Sequence, residues 1–214
     1  GANIIDKIKH NNKIGADSHK ELIALLKYAQ VNHAALPHEI SEEEYHKVKE
    51  SYNNKDSQFE DWYYGLVGFC STFSAKWFGG YARSFKADGV TPRNMSNEAI
   101  RNLQKQAPNL KDIKFIHSNF QELDTDILKN GAIYCDPPYQ NTTGYGKDFP
   151  HDEFWDWVRV LSKDNIVLVS EYKAPSDFEV VWEKVLKSAL GSGVNSQGHQ
   201  DRVERLFKYK GECK

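Results

Sequence analysis

The fold of this 214-residue chain is best judged from one stretch, Gly131-Ala132-Ile133-Tyr134-Cys135-Asp136-Pro137-Pro138-Tyr139. Its first half is apolar enough for a short buried strand, and the two prolines end that strand. Average residue usage would produce the tetrapeptide 136–139 by chance in about one chain per thousand of this length. Ligands in open α/β sheets bind beyond the carboxyl ends of strands, so the tetrapeptide is a candidate site. The alternative is that Asp-Pro-Pro only terminates the strand.

The segments on either side of this stretch indicate the fold class. Short apolar runs at residues 114–117 and 165–170 predict strands, and residues 151–161 predict a helix between them. A further short strand is predicted to end at Asp17, and residues 178–186 and 202–209 could be closing antiparallel strands. Alternating strands and helices of this kind predict an α/β fold with a doubly wound, mostly parallel sheet.

Helix signals dominate the region between the first strand and residue 110. Ser18 with Glu21, and Ser41 with Glu44, match the capping-box pattern at helix starts. Ser96 is predicted to cap another helix, which Pro108 ends, and residues 77–92 are expected to form a loop. We therefore expect residues 1–35 and 111–214 to form the α/β domain, with residues 36–110 as a helical insertion.

Composition restricts the class of protein. The chain is 39% hydrophobic and 27% charged, which is typical of a folded globular domain. It contains neither a stretch of about 18 apolar residues nor a secretory signal at its start. Its three cysteines, Cys70, Cys135 and Cys213, are far apart, which favours a reducing, cytoplasmic compartment. Neither the cysteines nor the eight histidines have metal-ligand spacing, so we expect no metal site.

Charge is unevenly distributed along the insertion. Residues 36–62 contain eight acids and three lysines, a net charge of −5, whereas residues 76–111 contain seven bases and two acids, a net charge of +5. The basic segment includes glycines and the candidate nucleic-acid contacts Lys76, Tyr81, Arg83, Lys86 and Arg93. Such a segment suits a loop laid on phosphates. The alternative is a solvated surface.

With its tetrapeptide Asp136-Pro137-Pro138-Tyr139 at the end of a strand, the sequence resembles the D12 class (Dam-like) of N6-adenine DNA methyltransferases. In that family Asp-Pro-Pro-Tyr is the catalytic motif. The adenine amine is a poor nucleophile because its lone pair is delocalised into the ring. A carboxylate at Asp136 and the carbonyl of Pro137 would accept its two N–H bonds, the prolines would preorganise these acceptors, and Tyr139 would stack on an extruded base.

The resemblance covers nearly the whole chain and implies S-adenosylmethionine as the cofactor. Residues 69–73 and 76–83 resemble the target-recognition insertion that grips double-stranded DNA. Residues 117–120 resemble the segment that contacts the cofactor's adenine, with Asn119 where many members have Asp, followed by Phe120. Asp17 lies where the family binds the cofactor ribose, and Asp136 also borders the cofactor. Without the resemblance, Asp17 could be only a helix N-terminal charge.

The start of the chain departs from the family pattern. Gly1 resembles the last glycine of the family's Gly-rich cofactor loop, whereas the preceding strand and a Phe-x-Gly-x-Lys element are not found. That strand would lie between the strands that end at Asp17 and Asp136. We therefore expect that another polypeptide supplies it, that the sheet has closed up, or that the sequence is a fragment.

Three functional hypotheses follow. The first is methyl transfer from S-adenosylmethionine to the adenine amine of duplex DNA by base flipping. The second is a truncated, catalytically impaired DNA-binding relative that needs a missing N-terminal segment, and the third is methylation of RNA or of a protein amide. Ser170-Glu171-Tyr172 could line the base pocket, although Glu171 is as consistent with a surface acid.

Overall fold

The structure is a computed structural model that describes residues 2–140, 149–186 and 202–211. The chain divides into two compact units, residues 1–119 and residues 120–214, and each is described by itself.

The first unit is a helical body with one parallel pair of strands. Its helices are α1 (Lys20–Asn32), α2 (Glu42–Asn54), α3 (Asp61–Cys70) and α4 (Met95–Leu110), and its strands are β1 (Lys13–Asp17), β2 (Ser84–Phe85), β3 (Pro92–Arg93) and β4 (Ile113–His117). Short 3-10 turns cover Ile5–Lys7, His33–Ala35 and Phe73–Ala75. β1 and β4 pair in parallel from Lys13↔Ile113 to Asp17↔His117, so both carboxyl ends lie at one edge.

The core of this unit forms between the apolar stripes of its helices. Leu25 of α1, Leu66 of α3 and Ile100 of α4 are all buried in one cluster. α1 and α3 approach so closely that a Cβ atom built at Gly65 would lie 2.2 Å from the carbonyl oxygen of Glu21. Glycine is therefore required at this helix crossing.

The helix starts test the predicted caps. The Ser41 side chain accepts the N–H of Glu44 at 3.1 Å, which confirms the cap of α2. The capping box at Ser18 is wrong, because α1 begins at Lys20 and the Asp17 carboxylate accepts the N–H of His19 at 2.7 Å.

The predicted limits of α4 are wrong at both ends. Asn94 is the N-cap, since its side-chain oxygen accepts the N–H of Asn97, while the Ser96 hydroxyl is buried and bonds the backbone of Ile40. The helix also continues past Pro108 to the buried Leu110. The Gln30 side chain donates to the Leu110 carbonyl at 2.7 Å, which satisfies the end of the helix.

The segment predicted as a loop at residues 77–92 contains part of a short hairpin. β2 and β3 pair antiparallel through Ser84↔Arg93 and Phe85↔Pro92. The Asp88 carboxylate accepts the N–H groups of Val90 and Thr91, which closes the turn. Two-residue strands give almost no periodic signal, so the sequence could not predict them.

The described residues of the second unit form a four-stranded sheet with a helix packed against it. Its elements are β5 (Ala132–Cys135), α5 (His151–Leu161), β6 (Ile166–Glu171), β7 (Phe178–Leu186) and β8 (Arg202–Tyr209), with a 3-10 turn at Thr125–Leu128. The strand order is β5-β6-β8-β7. β5 and β6 are parallel, whereas β8 pairs antiparallel with both β6 and β7. The predicted helix at residues 151–161 and the closing antiparallel strands are confirmed.

The chain therefore has a mixed α/β structure. Hydrogen bonds join the strands of the described residues into three sheets, the pair β1-β4, the hairpin β2-β3 and the sheet β5-β6-β8-β7. Parallel pairing is present between β1 and β4 and between β5 and β6.

Candidate active site

The tetrapeptide Asp136-Pro137-Pro138-Tyr139 begins where β5 ends. β5 and β6 run in parallel with Cys135 opposite Val169, so the residues that follow each strand lie at the same edge of the sheet. The Asp136 side chain is exposed at this edge, whereas Pro137 is buried beneath it. The strand and the buried proline together fix the direction in which the carboxylate leaves the sheet.

Tyr139 is held by residues at the end of β6 and directly after it. Its hydroxyl lies 2.6 Å from the Ser170 hydroxyl, and its ring meets the Tyr172 ring edge-on with centroids 4.6 Å apart. Burial raises the pKa of Tyr139 to about 12, partly offset by the Ser170 hydrogen bond and reinforced by the Asp136 charge. The phenol is therefore neutral at physiological pH, and the side chain has a defined orientation.

Glu171 is buried rather than a surface acid, with only 2% of the residue exposed. Its carboxylate accepts the N–H of Gln140 at 2.6 Å and also the N–H of Tyr172. The predicted alternative of a surface acid is therefore wrong. A polar triplet at the end of a buried strand was the only sequence signal, and it did not reveal these partners.

The residues expected to bind a cofactor nucleoside lie partly at the β1-β4 edge. Asp17 is exposed at the end of β1, and one of its carboxylate oxygens is held by the His19 N–H. The Ser118 N–H donates to the Asp17 carbonyl at 3.1 Å, so the segment that leads into the half-buried Asn119 starts beside Asp17. This edge thus presents a carboxylate and an amide, which can accept bonds from hydroxyl and amino groups.

The remaining predicted cofactor residues are Phe120, Gly1 and Asp136, the last of which follows β5 as described above. Phe120 belongs to the second unit, where its ring packs against Phe149, Phe154 and Trp157 at centroid distances of 5.5–5.6 Å. It is therefore part of an aromatic core cluster. Gly1 lies outside the described residues.

His19 packs against aromatic residues of the insertion, which the sequence did not reveal. Its ring lies edge-on against Phe69 at 4.9 Å and Trp77 at 4.3 Å, and its Nδ1 is 3.2 Å from a Glu21 carboxylate oxygen. Burial lowers the pKa of His19, and the charges of Glu21 and Asp17 offset only part of that effect. The imidazole is therefore neutral at pH 7, and it links the start of α1 to the aromatic residues of the insertion.

The candidate nucleic-acid contacts differ in their exposure and in their interactions with other residues of the protein. Lys76 and Lys86 are exposed. Arg83 forms an ion pair with Glu42, and Arg93 forms one with Glu98. The hydroxyl of Tyr81 donates to the Ile40 carbonyl at 2.9 Å, and the side chain is only partly exposed. The hairpin brings Arg83, Lys86 and Arg93 together, because Arg83 precedes β2, Lys86 follows it and Arg93 lies in β3.

Comparison with protein families gives one match over most of the chain. Residues 1–176 match the family described as D12 class N6 adenine-specific DNA methyltransferase. The chain belongs to this family. A comparison with curated protein sequences gives no match.

As an adenine-specific DNA methyltransferase, the protein is an enzyme that acts on DNA. The match includes Asp136–Tyr139 and the Ser170-Glu171-Tyr172 triplet. Within the described residues of this methyltransferase, no three His, Cys, Asp or Glu side chains are grouped as metal ligands. None of its described helices is long and apolar enough to cross a membrane.

Proposed function

We propose that this methyltransferase transfers the methyl group of S-adenosylmethionine to the N6 amine of an adenine extruded from duplex DNA. The observation that carries the proposal is the position of Asp136-Pro137-Pro138-Tyr139 at the carboxyl edge of β5, with Tyr139 fixed against Ser170 and Tyr172. Asp136 is exposed, so its carboxylate is accessible to a base.

Two acceptors would prepare the amine for reaction. The Asp136 carboxylate and the Pro137 carbonyl each accept one N–H of the adenine amine, which favours a pyramidal nitrogen with a localised lone pair. The localised lone pair would be available to the methyl group that S-adenosylmethionine supplies when bound, with the sulfonium leaving as a thioether. The amine loses one proton, for which Asp136 is the first acceptor.

Tyr139 would hold the base from one side. An extruded base is commonly stabilised by stacking on an aromatic ring, which recovers part of the stacking lost in the duplex. Tyr172 meets the Tyr139 ring at an interplanar angle of 81°, so it braces the ring. The ring orientation is thus set before the base arrives.

The residues at the β1-β4 edge fit the nucleoside part of the cofactor. With one oxygen of Asp17 held by the His19 N–H, the carboxylate is oriented to accept from a ribose hydroxyl. The Asn119 side chain can accept from the adenine amino group through its oxygen. When bound, S-adenosylmethionine supplies an electrophilic methyl group on a sulfonium.

DNA contact is proposed for the hairpin and its neighbours. Lys76, Arg83, Lys86 and Arg93 would bind phosphates, while Tyr81 supports the loop through its bond to Ile40. In this proposal residues 36–110 are the target-recognition insertion, and residues 1–35 and 111–214 form the methyltransferase domain, whose sheet is of the doubly wound type.

Asp136→Ala tests the proposal in the full-length protein. Loss of one preorganised acceptor should lower the rate of tritiated methyl transfer by about 100- to 1000-fold or more, with DNA affinity nearly unchanged. Asp164→Ala, at an exposed position after α5, is the matched control and should retain full activity. Activity of Asp136→Ala within about tenfold of the wild type would refute the assignment. A wild-type protein that binds duplex DNA without methyl transfer would instead support a non-catalytic DNA-binding role.

A further inference from the structure

The end of β6 contains a buried carboxylate that the chemistry above does not use. Glu171 lies on the same face of β6 as the buried Val167 and Val169, because side chains alternate along a strand. A carboxylate in such surroundings is costly unless its oxygens accept hydrogen bonds. The partners of Glu171 therefore indicate why an acid occupies this position.

Both carboxylate oxygens of Glu171 accept backbone N–H groups. One bonds Gln140 at 2.6 Å, and the other bonds Tyr172. Gln140 directly follows Tyr139 and is 31 residues from Glu171 in the sequence. Pro137 and Pro138 have no N–H, so the first backbone donor after Asp136 is that of Tyr139. Glu171 thus holds the loop immediately after the tetrapeptide.

The Tyr172 peptide is fixed on both sides. Its N–H is held by Glu171, and its carbonyl accepts from Nη1 of Arg205 at 2.9 Å. Arg205 lies opposite Glu171 in the β6-β8 ladder. This arrangement fixes the Tyr172 ring, which in turn contacts the edge of Tyr139.

We propose that Glu171 is a positioning residue for methyl transfer, which orients Asp136 and Tyr139 by holding the Gln140 and Tyr172 peptides. The inference rests on the proposed function. Displacement of reacting groups by about 1 Å can cost roughly 100-fold in rate. Loss of the tether should therefore slow the chemical step while leaving substrate binding in place.

Glu171→Gln is the test variant because the amide has the same shape as the carboxylate. One of its two positions becomes an NH₂ donor that faces a backbone N–H, so one of the two bonds is lost. Glu179→Gln, at an exposed acid of β7 in the same unit, is the matched control. Both proteins are compared with the wild type in single-turnover methyl transfer on an adenine duplex and in DNA-binding titrations.

We expect the single-turnover rate of Glu171→Gln to fall by about 10- to 100-fold, with its reaction amplitude, DNA affinity and cofactor KM changed by less than about threefold. Glu179→Gln should match the wild type. A Glu171→Gln rate within about threefold of the wild type would overturn the inference. So would a loss confined to the amplitude, since that reports a smaller folded fraction rather than a slower chemical step.

A second measurement separates this inference from the proposed function. In the wild type the Gln140 and Tyr172 amides should exchange slowly with solvent, whereas Glu171→Gln, but not Glu179→Gln, should accelerate the exchange of at least one of them in NMR spectra. A wild type that methylates no adenine duplex refutes the proposed function, whereas an active wild type with an unaffected Glu171→Gln rate refutes only the inference. Unchanged exchange of both amides in Glu171→Gln refutes the tether itself, whether or not the wild type is active.

Discussion

For Arg93 to bind a DNA phosphate as proposed, it must break its ion pair with Glu98. Its Nε lies 3.1 Å from one oxygen of Glu98, and a second guanidinium nitrogen contacts the other oxygen, so the pair is bidentate. The two side chains are 39% and 45% exposed, which places this pair in water. Phosphate binding by Arg93 therefore exchanges one anion for another. We predict that Glu98→Gln tightens DNA binding.

The expected gain is small because exposed ion pairs are weak. Release of Arg93 from Glu98 should increase DNA affinity by about two- to fivefold rather than by orders of magnitude. Removing a negative charge also strengthens binding to DNA at long range, so Glu43→Gln, at an exposed acid of α2, is the control. Arg93→Ala should weaken binding and reduce the slope of log K against log salt by about 0.9 for one lost phosphate contact.

The assay is fluorescence anisotropy on a labelled duplex between about 50 and 200 mM salt. When Arg93 is replaced by alanine, Glu98→Gln should increase DNA affinity by no more than Glu43→Gln does. If Glu98→Gln binds no more tightly than Glu43→Gln, or gains equally without Arg93, then Arg93 does not contact phosphate. Glu98 lies in the first turn of α4, where an acid favours the helix, so circular dichroism must show that α4 is intact.

Two further predictions concern stability. In Gly65→Ala the new methyl group meets the Glu21 backbone, which should cost about 1–3 kcal/mol of stability, offset by the roughly 1 kcal/mol that alanine gains over glycine in a helix. Urea unfolding should show a larger loss of stability than for Gly15→Ala, where the close neighbour is the Phe115 ring. An equal loss in the two variants would contradict the tight helix crossing. Asp177→Asn removes a carboxyl whose pKa is lowered by its hydrogen bond to Arg159, so it should reduce the free energy of unfolding by at most about 1 kcal/mol at pH 7. That difference should disappear as the pH falls below about 4 through the folded-state pKa of Asp177, and a difference that persists at low pH would contradict the ion-pair explanation.

The elements that the sequence predicted well are those with strong local signals. α5 combines an apolar stripe with a boundary on each side, and its predicted limits agree with the structure. β5 was recognisable because the prolines that follow it cannot continue a strand. Ser41 was a reliable cap because the residue directly before it, Ile40, has no side-chain acceptor.

The predicted helix caps were wrong where more than one polar residue lies near the start of a helix. Ser18 was predicted to cap α1, but the N-cap is His19, and the Asp17 carboxylate accepts the N–H of that residue. Asn94 and Ser96 are both possible caps of α4, and the buried Ser96 bonds Ile40 instead. These choices depend on which side chain is buried by the folded chain, which local sequence does not contain.

Within the candidate site, the tetrapeptide could be predicted from local sequence, whereas the contacts of Glu171 depend on the fold. Pro137 and Pro138 restrict the backbone but remove two donors, so the loop cannot be tethered through an N–H at either position. The β5-β6 ladder fixes one end at Cys135, and the carboxylate of Glu171 fixes the other end at Gln140. The tetrapeptide by itself suggests the two proposed acceptors for the amine, whereas their proposed orientation depends on an acid 31 residues after Gln140 whose local sequence also suits a surface. Substitution of Asp136 therefore tests the chemistry, and substitution of Glu171 tests the geometry in which that chemistry occurs.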